Sequence, residues 1–569
     1  MSPIRFLKWI QAACFPAILI SLWTFNIFGF NEPNLKQSGN KKPFQHDVAV
    51  TVKLVQVYVT DKEGQPITDL KKDDFLIYDQ GKLKEITEFE KHLLSLPEVM
   101  RKPTVKKNAL PENAKTPPAK ALPERKKTEA APASSKMNRK FILFFDFAFN
   151  NAKGILKSKE AALHFMDTKL LPEDKVAVLS YAIPHGLTVH EFLTANHPKA
   201  REVIESFGAK EIAGRAHNVE LKYWINAGGD KEARYPQADY SVRFSLGVRQ
   251  LGYERNIYKQ QARHFSTCIE ELSKALRYIP GYKNIFFFSS GIAGSILYGK
   301  PTFPKMHTQL ADGLGETAFR DKYENMLKGL SSSNSIVHTI STEEYDTLAH
   351  RDADIQGATA LKRMSKESGG RHYGNISDYE TIMEELQNRT GSYYVLGYYV
   401  SEKWDGRYHK LDVKVKKKGC KVHAQGGYYE RKPFTEYSKL EKQLHLVDLA
   451  LNERPLFQDP VHFPLEAVWN PDDEATALKL KLSLPEWSLG EISGKEVEIV
   501  SLIFDEKDDV AGMQREPADF SKQAAWEFQH TSHFSVPPGK YRCRVVIRNL
   551  QTGQAAVGAC KVDIPDTKK

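Results

Sequence analysis

Cysteine is scarce in this 569-residue sequence: there are five, with no Cys-x-x-Cys pair and no metal-ligand spacing. A cysteine-based metal or redox centre therefore has no support. Cys543 and Cys560 flank a turn at residues 549–553 at nearly matched distances. In an oxidising compartment they could form a cross-strand disulfide, and otherwise they would be two half-buried thiols. The sequence leaves both outcomes open.

A basic surface of the kind that binds nucleic acid is also missing. The formal net charge is +10, but residues 101–140 alone hold twelve Lys or Arg and three Asp or Glu. The remainder of the chain is therefore close to neutral, and the excess charge belongs to a solvated basic segment. We expect no nucleic-acid partner.

Signatures of catalysis are absent as well. No glycine-rich turn follows the first predicted parallel strand, and residues 289–291 lack the Gly-x-Ser-x-Gly frame of a hydrolase nucleophile. His190 and Glu191 begin like a zinc-binding helix, but the next histidine is seven residues on instead of four. No residue is assigned a catalytic role, and we expect a protein that is not an enzyme.

The one long apolar run lies near residue 1. Arg5 and Lys8 precede a stretch from 9 to 30 that few polar residues interrupt. A cationic flank before an apolar run predicts export, with residues 1–30 acting as a signal peptide or as a membrane anchor. The protein is then expected in the periplasm, on the outer surface, secreted, or anchored at the inner membrane. Membrane contact is expected through this segment alone.

Residues 139–390 alternate strand and helix patterns. The continuous apolar run 141–145 is typical of a strand that is buried on both faces. Residues 176–181 and 284–288 also have strand patterns, and amphipathic segments separate the three. The alternation predicts an α/β fold with a doubly wound, Rossmann-like parallel sheet, interrupted by an insertion at 207–256.

Strand patterns flank this region on both sides. Residues 46–93 and 391–430 are expected to fold together into one β-sandwich, with the α/β domain inserted into it. Residues 94–138, rich in Pro, Lys and Ala, are predicted to be a disordered linker. A connecting helix at 436–453 and a second, C-terminal β-sandwich at 458–566 complete the predicted organisation.

A candidate site follows the first parallel strand. Asp146 stands where that strand ends, and Asn150 follows four residues later. Ligand crevices of doubly wound sheets lie at the carboxyl ends of the strands. A carboxylate and an amide oxygen at this place could hold a hard divalent cation together with water molecules.

Three blocks of residues carry a family resemblance over about 46–430. The middle block comprises 283–290 and 367–370, and the last comprises 392–399 and 427–429. The first block consists of Gly64, Pro66, Leu70, Asp74, Phe75, Asp79 and Gly81. The chain resembles the bacterial VWFA-related family of acidobacterial type, which contains a von Willebrand factor type A-like domain with flanking strand blocks.

The resemblance implies a metal-ion-dependent adhesion site, and here that site is degenerate. The family pattern is Asp-x-Ser-x-Ser, and Asp146 matches it, whereas Ala148 and Asn150 replace the two serines. Ser289 and Ser290 occupy the place of a later aspartate, and the family's threonine has no assigned position. With a single carboxylate we expect weak Mg²⁺ or Mn²⁺ binding at most. Alternatively, Asp146 caps the next helix or binds loop amides.

By the same resemblance the function is protein–protein or matrix adhesion at the cell envelope, with an unidentified partner. The insertion would face that partner, because aromatic residues are frequent anchors at interfaces. Its candidate partner-binding residues are Tyr223, Trp224, Tyr235, Tyr240 and Tyr253. Two alternatives stay open: an envelope hydrolase that uses the crevice carboxylate, and a structural scaffold without a ligand.

Overall fold

The computed structural model describes residues 50–62, 65–93, 138–183, 185–208, 214–226, 253–297, 317–342, 357–401, 406–424, 426–470, 477–485, 489–490, 492–521 and 527–566. Some of the sequence-based predictions fall outside these residues. They concern the segment 1–30, the linker up to residue 137, Gly64, Tyr235 and Tyr240. Within the described part of the chain, no helix is long and apolar enough to cross a bilayer.

The strands are, in chain order, β1 (Val50–Thr60), β2 (Phe75–Asp79), β3 (Lys82–Lys84), β4 (Glu88–His92), β5 (Lys140–Asp146), β6 (Lys175–Ala182), β7 (Gly186–Thr194), β8 (Lys283–Ser289), β9 (Ser335–Ser341), β10 (His372–Tyr373), β11 (Tyr393–Ser401), β12 (Tyr408–Val415), β13 (Lys421–Ala424), β14 (Gly427–Tyr429), β15 (Val461–Phe463), β16 (Leu465–Asn470), β17 (Ala477–Pro485), β18 (Val497–Phe504), β19 (Val510–Ala518), β20 (Glu527–Ser535), β21 (Gly539–Asn549) and β22 (Ala555–Ile564). The described helices are α1 (Ala152–Thr168), α2 (His197–Ser206), α3 (Arg215–Asn226), α4 (Tyr253–Leu276), α5 (Gly294–Leu297), α6 (Thr317–Ser332), α7 (Ala358–Ser368), α8 (Tyr379–Gly391) and α9 (Lys439–Leu451).

A six-stranded sheet in the order β10-β9-β8-β5-β6-β7 forms the α/β region. All its strand pairs are parallel except β6 with β7, which is antiparallel. The central strand β5 is apolar between its charged ends, Lys140 and Asp146, because both of its faces are covered. Phe141 and Phe145 face one apolar cluster, and Ile142 and Phe144 face another. The prediction of an α/β protein with a parallel sheet is confirmed.

Two four-stranded sheets flank that region, in the orders β13-β1-β11-β4 and β14-β12-β2-β3. Each sheet combines strands from before and after the α/β region. In the first, Val57 lies opposite Tyr394, and in the second, Ile77 lies opposite Val413. The inner faces of both sheets share one apolar cluster. Strands of the two sequence blocks therefore pair directly, while the division of the chain into separate domains stays a prediction.

The last part of the chain also forms two sheets. Their orders are β15-β22-β21-β18-β19 and β16-β17-β20, and one apolar cluster lies between them. Residues 461–469 do not form one continuous strand. Pro464 separates β15, which pairs in parallel with β22, from β16, which pairs with β17. Proline has no amide hydrogen to donate, which favours a break at this point.

Helix α9 joins the C-terminal sheets to the α/β region. It begins with a capping box, in which Ser438 and Glu441 satisfy each other's backbone amides. Its apolar residues belong to the same cluster as Phe144 of β5 and Leu502 of β18. Arg548 of β21, which forms a buried ion pair with Glu498 of β18 at 2% and 1% side-chain exposure, also donates from Nη1 to the Lys442 carbonyl of α9 at 2.8 Å. The predicted connecting helix is thus part of a shared core.

Candidate functional site

Asp146 is fully buried at the carboxyl end of β5. One carboxylate oxygen, Oδ1, accepts hydrogen bonds from the backbone amides of Ala148 at 2.9 Å and Phe149 at 3.0 Å. The other oxygen, Oδ2, accepts one from the Ser289 hydroxyl at the end of the neighbouring strand β8. Ser289 accepts in turn from the Gly291 amide at 2.8 Å. The carboxylate therefore ties two adjacent strand ends together.

The environment of Asp146 shifts its protonation. Burial raises the pKa of its carboxyl from the ordinary value of 3.8 to about 6, against the opposing effect of the Ser289 hydroxyl and the two loop amides. These three donors stabilise the carboxylate through hydrogen bonds. They do not compensate fully for the hydration that the charged group loses on burial. The group therefore changes charge close to neutral pH.

A second polar cluster lies beside it. Asn150 Oδ1 accepts hydrogen bonds from the hydroxyls of Ser290, at 3.2 Å, and Thr342. The two hydroxyls are 3.1 Å apart. All three side chains are buried. Gly154 in α1 permits this close approach, because a Cβ there would lie 2.6 Å from Asn150 Oδ1.

Thr342 is the site residue that sequence reasoning missed. It directly follows β9, just as Asp146 ends β5 and Ser290 follows β8, so three adjacent parallel strands each contribute a polar group at the same edge. The available signal was positional: a hydroxyl residue at the end of an apolar parallel strand. No family spacing pointed to it.

The structure distinguishes the two alternative roles of Asp146, which are capping of the next helix and binding of loop amides. The side chain that caps α1 is Asn151, which accepts from the Gly154 amide at 2.7 Å. The helix-capping role therefore falls to another residue. The contacts of Asp146 with the amides of Ala148 and Phe149 are those of a loop-binding carboxylate.

As a cation site the crevice has a poor donor set. Within the described residues, no group of three or more His, Cys, Asp or Glu side chains is placed to hold a metal ion. The oxygens of Asp146 already accept hydrogen bonds, as does the Asn150 oxygen. A Mg²⁺ ion bound to these two side chains would have to displace those bonds and would gain only one negative charge. Weak affinity stays the prediction.

The predicted partner-binding residues have different surroundings. Tyr223 and Trp224 lie in α3 and are half-buried. The Tyr223 hydroxyl donates to Glu498 Oε2 at 2.8 Å, and its ring lies 4.8 Å from the Arg515 guanidinium carbon. Tyr223 is thus engaged with the C-terminal sheets. Tyr253 begins α4. Tyr235 and Tyr240 lie outside the described residues, so a partner surface at 207–256 stays a prediction.

Cys543 and Cys560 lie directly opposite each other on β21 and β22. Both are free thiols in the structure, with Cys543 buried and Cys560 half-buried. The cross-strand placement that the sequence predicted is present, whereas the disulfide itself stays a prediction.

Comparison with known proteins gives little further guidance. No protein-family model and no curated protein matches the chain. Among solved structures, a β-glucuronidase from Bacteroides uniformis matches at 12% identity and a TM-score of 0.15, over 18% of this chain and 14% of that protein.

Two other solved structures match over 44% of this chain. The conserved hypothetical protein BatB from Bacteroides thetaiotaomicron is 10% identical, is covered over 98% and gives a TM-score of 0.20. Proximal thread matrix protein 1 from the mussel byssus is 9% identical, is covered over 48% and gives 0.21. Likenesses this weak carry no argument about fold or function.

Proposed function

We propose that the chain is an exported, von Willebrand factor type A-like binding protein of the cell envelope. It would act in protein–protein or matrix adhesion through a degenerate metal-ion-dependent adhesion site. The observation that carries the proposal is the cluster of buried polar groups at the ends of three adjacent parallel strands, which comprises Asp146, Ser289, Asn150, Ser290 and Thr342. The carboxyl edge of a doubly wound sheet is where ligands bind.

The apolar surroundings of this cluster favour a protein partner. Phe147 and Phe149 are half-buried on the loop that follows β5. Ile183, 45% exposed, follows β6 at the same edge. Aromatic and other apolar side chains of this kind are frequent anchors at protein-binding surfaces. We call Phe147, Phe149 and Ile183 the apolar rim.

The contacts of Asp146 give the hydrolase alternative less support. General acid–base catalysis would need a second carboxylate or a histidine within hydrogen-bond reach. The groups that hydrogen-bond Asp146, among the residues that the structure describes, are two amides and one hydroxyl. These groups fix the carboxylate in place and supply no proton relay, which favours recognition over catalysis.

The proposal is tested by capture of binding partners from envelope extracts with the full-length chain. Ile183→Asp should abolish partner capture, because it places a charge in the apolar rim. Leu83→Asp is the matched control, since Leu83 is 61% exposed on β3 in a flanking sheet. Asn150→Leu, which removes the acceptor of two hydroxyls, should also weaken capture.

Equal capture by all three variants would contradict a crevice-based binding function and favour the scaffold alternative. Loss of an esterase or glycosidase activity in Asp146→Asn, with capture unchanged, would favour the hydrolase instead. Export is tested separately with residues 1–40 fused to a reporter that is active only outside the cytoplasm. A fusion that stays inactive would contradict the proposed location.

A further inference from the structure

A second pocket lies at the opposite, amino edge of the parallel sheet. It is a small, partly open cavity with a volume of about 40 Å³, and it lies between that edge and the first flanking sheet. Asn284 and His338 line it from β8 and β9, Arg389 from α8, and Thr60 and His423 from β1 and β13. Ligand pockets occur preferentially at such junctions between structural units.

The lining of this pocket is rich in hydrogen-bond donors. Asn284 is 1% exposed, and its amide nitrogen Nδ2 makes no hydrogen bond of normal geometry among the described residues. The Asn284 side chain acts as a weak hydrogen-bond donor towards the Tyr58 hydroxyl, which also accepts from Gln56 Nε2 at 2.8 Å, so one N–H of the Asn284 amide is left without a partner. An unpaired donor buried this deeply is costly, and a bound acceptor would relieve the cost.

Arg389 supplies the positive charge. An oxygen of the Glu385 carboxylate is 3.9 Å from its Nη1, which is too far for a hydrogen bond. No aspartate or glutamate is among the residues that line the pocket within the described chain. The guanidinium therefore retains donors for a ligand.

The two histidines contribute donors without adding charge. Burial, with a further contribution from Arg389, lowers the pKa of His338 to about 3, and burial also lowers the pKa of His423. His338 Nδ1 accepts from the Arg371 backbone amide at 3.3 Å, so its Nε2 carries the proton. Both rings are neutral at pH 7, and each offers one N–H.

We infer that the pocket between β1, β13 and the amino edge of the sheet binds a small oxyanion, a carboxylate or a phosphate group. A guanidinium matches the two oxygens of such a group, and neutral amide and imidazole donors complete its coordination. The site is separate from the Asp146 crevice, which lies at the other edge of the same strands. It does not depend on the adhesion function proposed above.

The test is calorimetric titration of the full-length chain with sodium phosphate, and in parallel with sodium succinate, each against sodium chloride at equal ionic strength. We expect saturable binding of at least one of the two oxyanions. Arg389→Gln should weaken that binding about tenfold or more, since it removes the charged bidentate donor. Preference between phosphate and succinate distinguishes the two ligand classes.

Arg371→Gln is the matched control. Arg371 also pairs with Glu385, but it does not line the pocket, so its loss should leave oxyanion affinity unchanged. His423→Leu removes a donor from an exposed strand position and serves as a second test if Arg389→Gln fails to fold by circular dichroism. Absence of binding by both oxyanions, or an equal effect of Arg371→Gln and Arg389→Gln, would overturn the inference. So would unchanged affinity in His423→Leu.

Discussion

The two edges of the parallel sheet bury charges of opposite sign. At the carboxyl edge, Asp146 is surrounded by hydroxyls and amides. At the amino edge, Lys140 lies in register with Lys175 on one neighbouring strand and with Lys283 on the other. Lys140 and Lys283 are fully buried, and Lys283 Nζ donates to the carbonyls of Leu276, at 3.1 Å, and Ile279, at 3.0 Å.

Burial acts on the two edges in opposite directions. It raises the pKa of Asp146 to about 6, and it lowers the pKa of Lys140 to about 7 and that of Lys283 well below its ordinary value. For all three side chains burial favours the neutral form, because the neighbouring groups do not compensate the charge fully. The two edges should therefore give pH dependences of stability with opposite slopes.

The largest expected effect concerns the charge pair at the amino edge. Arg139 and Asp174 form a buried ion pair at 4% and 1% side-chain exposure. Asp174→Ala leaves a buried guanidinium unpaired and should lower the free energy of unfolding by about 3–5 kcal/mol. Asp167→Ala is the control, because the Asp167–Arg201 pair is largely exposed and should contribute at most about 1 kcal/mol. Urea denaturation measures both, and equal losses would refute the distinction.

The carboxyl edge is tested through pH. The pKa of Asp146 is about 6 in the folded protein against an ordinary value of 3.8 for an exposed aspartate, so the folded protein binds more protons between these values. Wild-type stability should then fall as pH rises from 4 to 6, relative to Asp146→Asn. The accumulated difference is on the order of 2–3 kcal/mol. Parallel pH profiles of the two proteins, in metal-free buffer, would contradict a raised pKa.

Lys283→Met tests the amino edge, where the slope of stability against pH should have the opposite sign. Because the folded-state pKa of Lys283 is lowered, the unfolded chain binds more protons between that pKa and 10.5. Stability of the wild type relative to the variant should rise as pH increases from 7 towards 10. Chemical denaturation across this range measures the trend, and a falling difference would show that Lys283 is buried as a cation.

The smallest expected effect is that of a metal ion. With Asp146 as its carboxylate ligand at the carboxyl edge, Mg²⁺ or Mn²⁺ should bind no more tightly than about millimolar. Addition of about 10 mM metal should then raise stability by about 1.4 kcal/mol at most. Asp146→Ala should remove that increment. Micromolar binding in calorimetric titration, lost in Asp146→Ala, would reveal ligands beyond Asp146 and Asn150.

The apolar parallel strands could be read from the sequence, whereas the antiparallel edge strand could not. The run 141–145 lies within β5, because burial on both faces leaves an unbroken apolar signal, and the predicted strand 284–288, which is apolar from residue 285 on, lies within β8. Strand β7 was not predicted. It carries His190 and Glu191 in its buried middle, and Glu191 is balanced by Arg215 from a later helix. The compensating charge comes from a residue distant in the sequence, so no local sequence pattern indicates it.

The candidate site was partly predictable for a related reason. Asp146 and Asn150 were found because the end of a parallel strand places them at the edge of the sheet, whereas Ser289 and Ser290 were found through the family resemblance. Thr342 was not found, because its role depends on contact with Asn150 across the sheet. The basic pocket at the other edge was missed entirely, since it joins β1, β8, β9, β13 and α8 and has no continuous segment.

The strand pairing of the flanking sheets bears on how the chain folds during synthesis. β1 pairs with β11 and β13, so the partner of Val57, Tyr394, is made long after it. At about 5–20 residues per second, β1 waits on the order of tens of seconds for these partners. Unpaired strand edges are prone to aggregation. Successful folding therefore requires that the β1–β4 region be kept from self-association, by a chaperone or by delayed collapse, until β11 emerges.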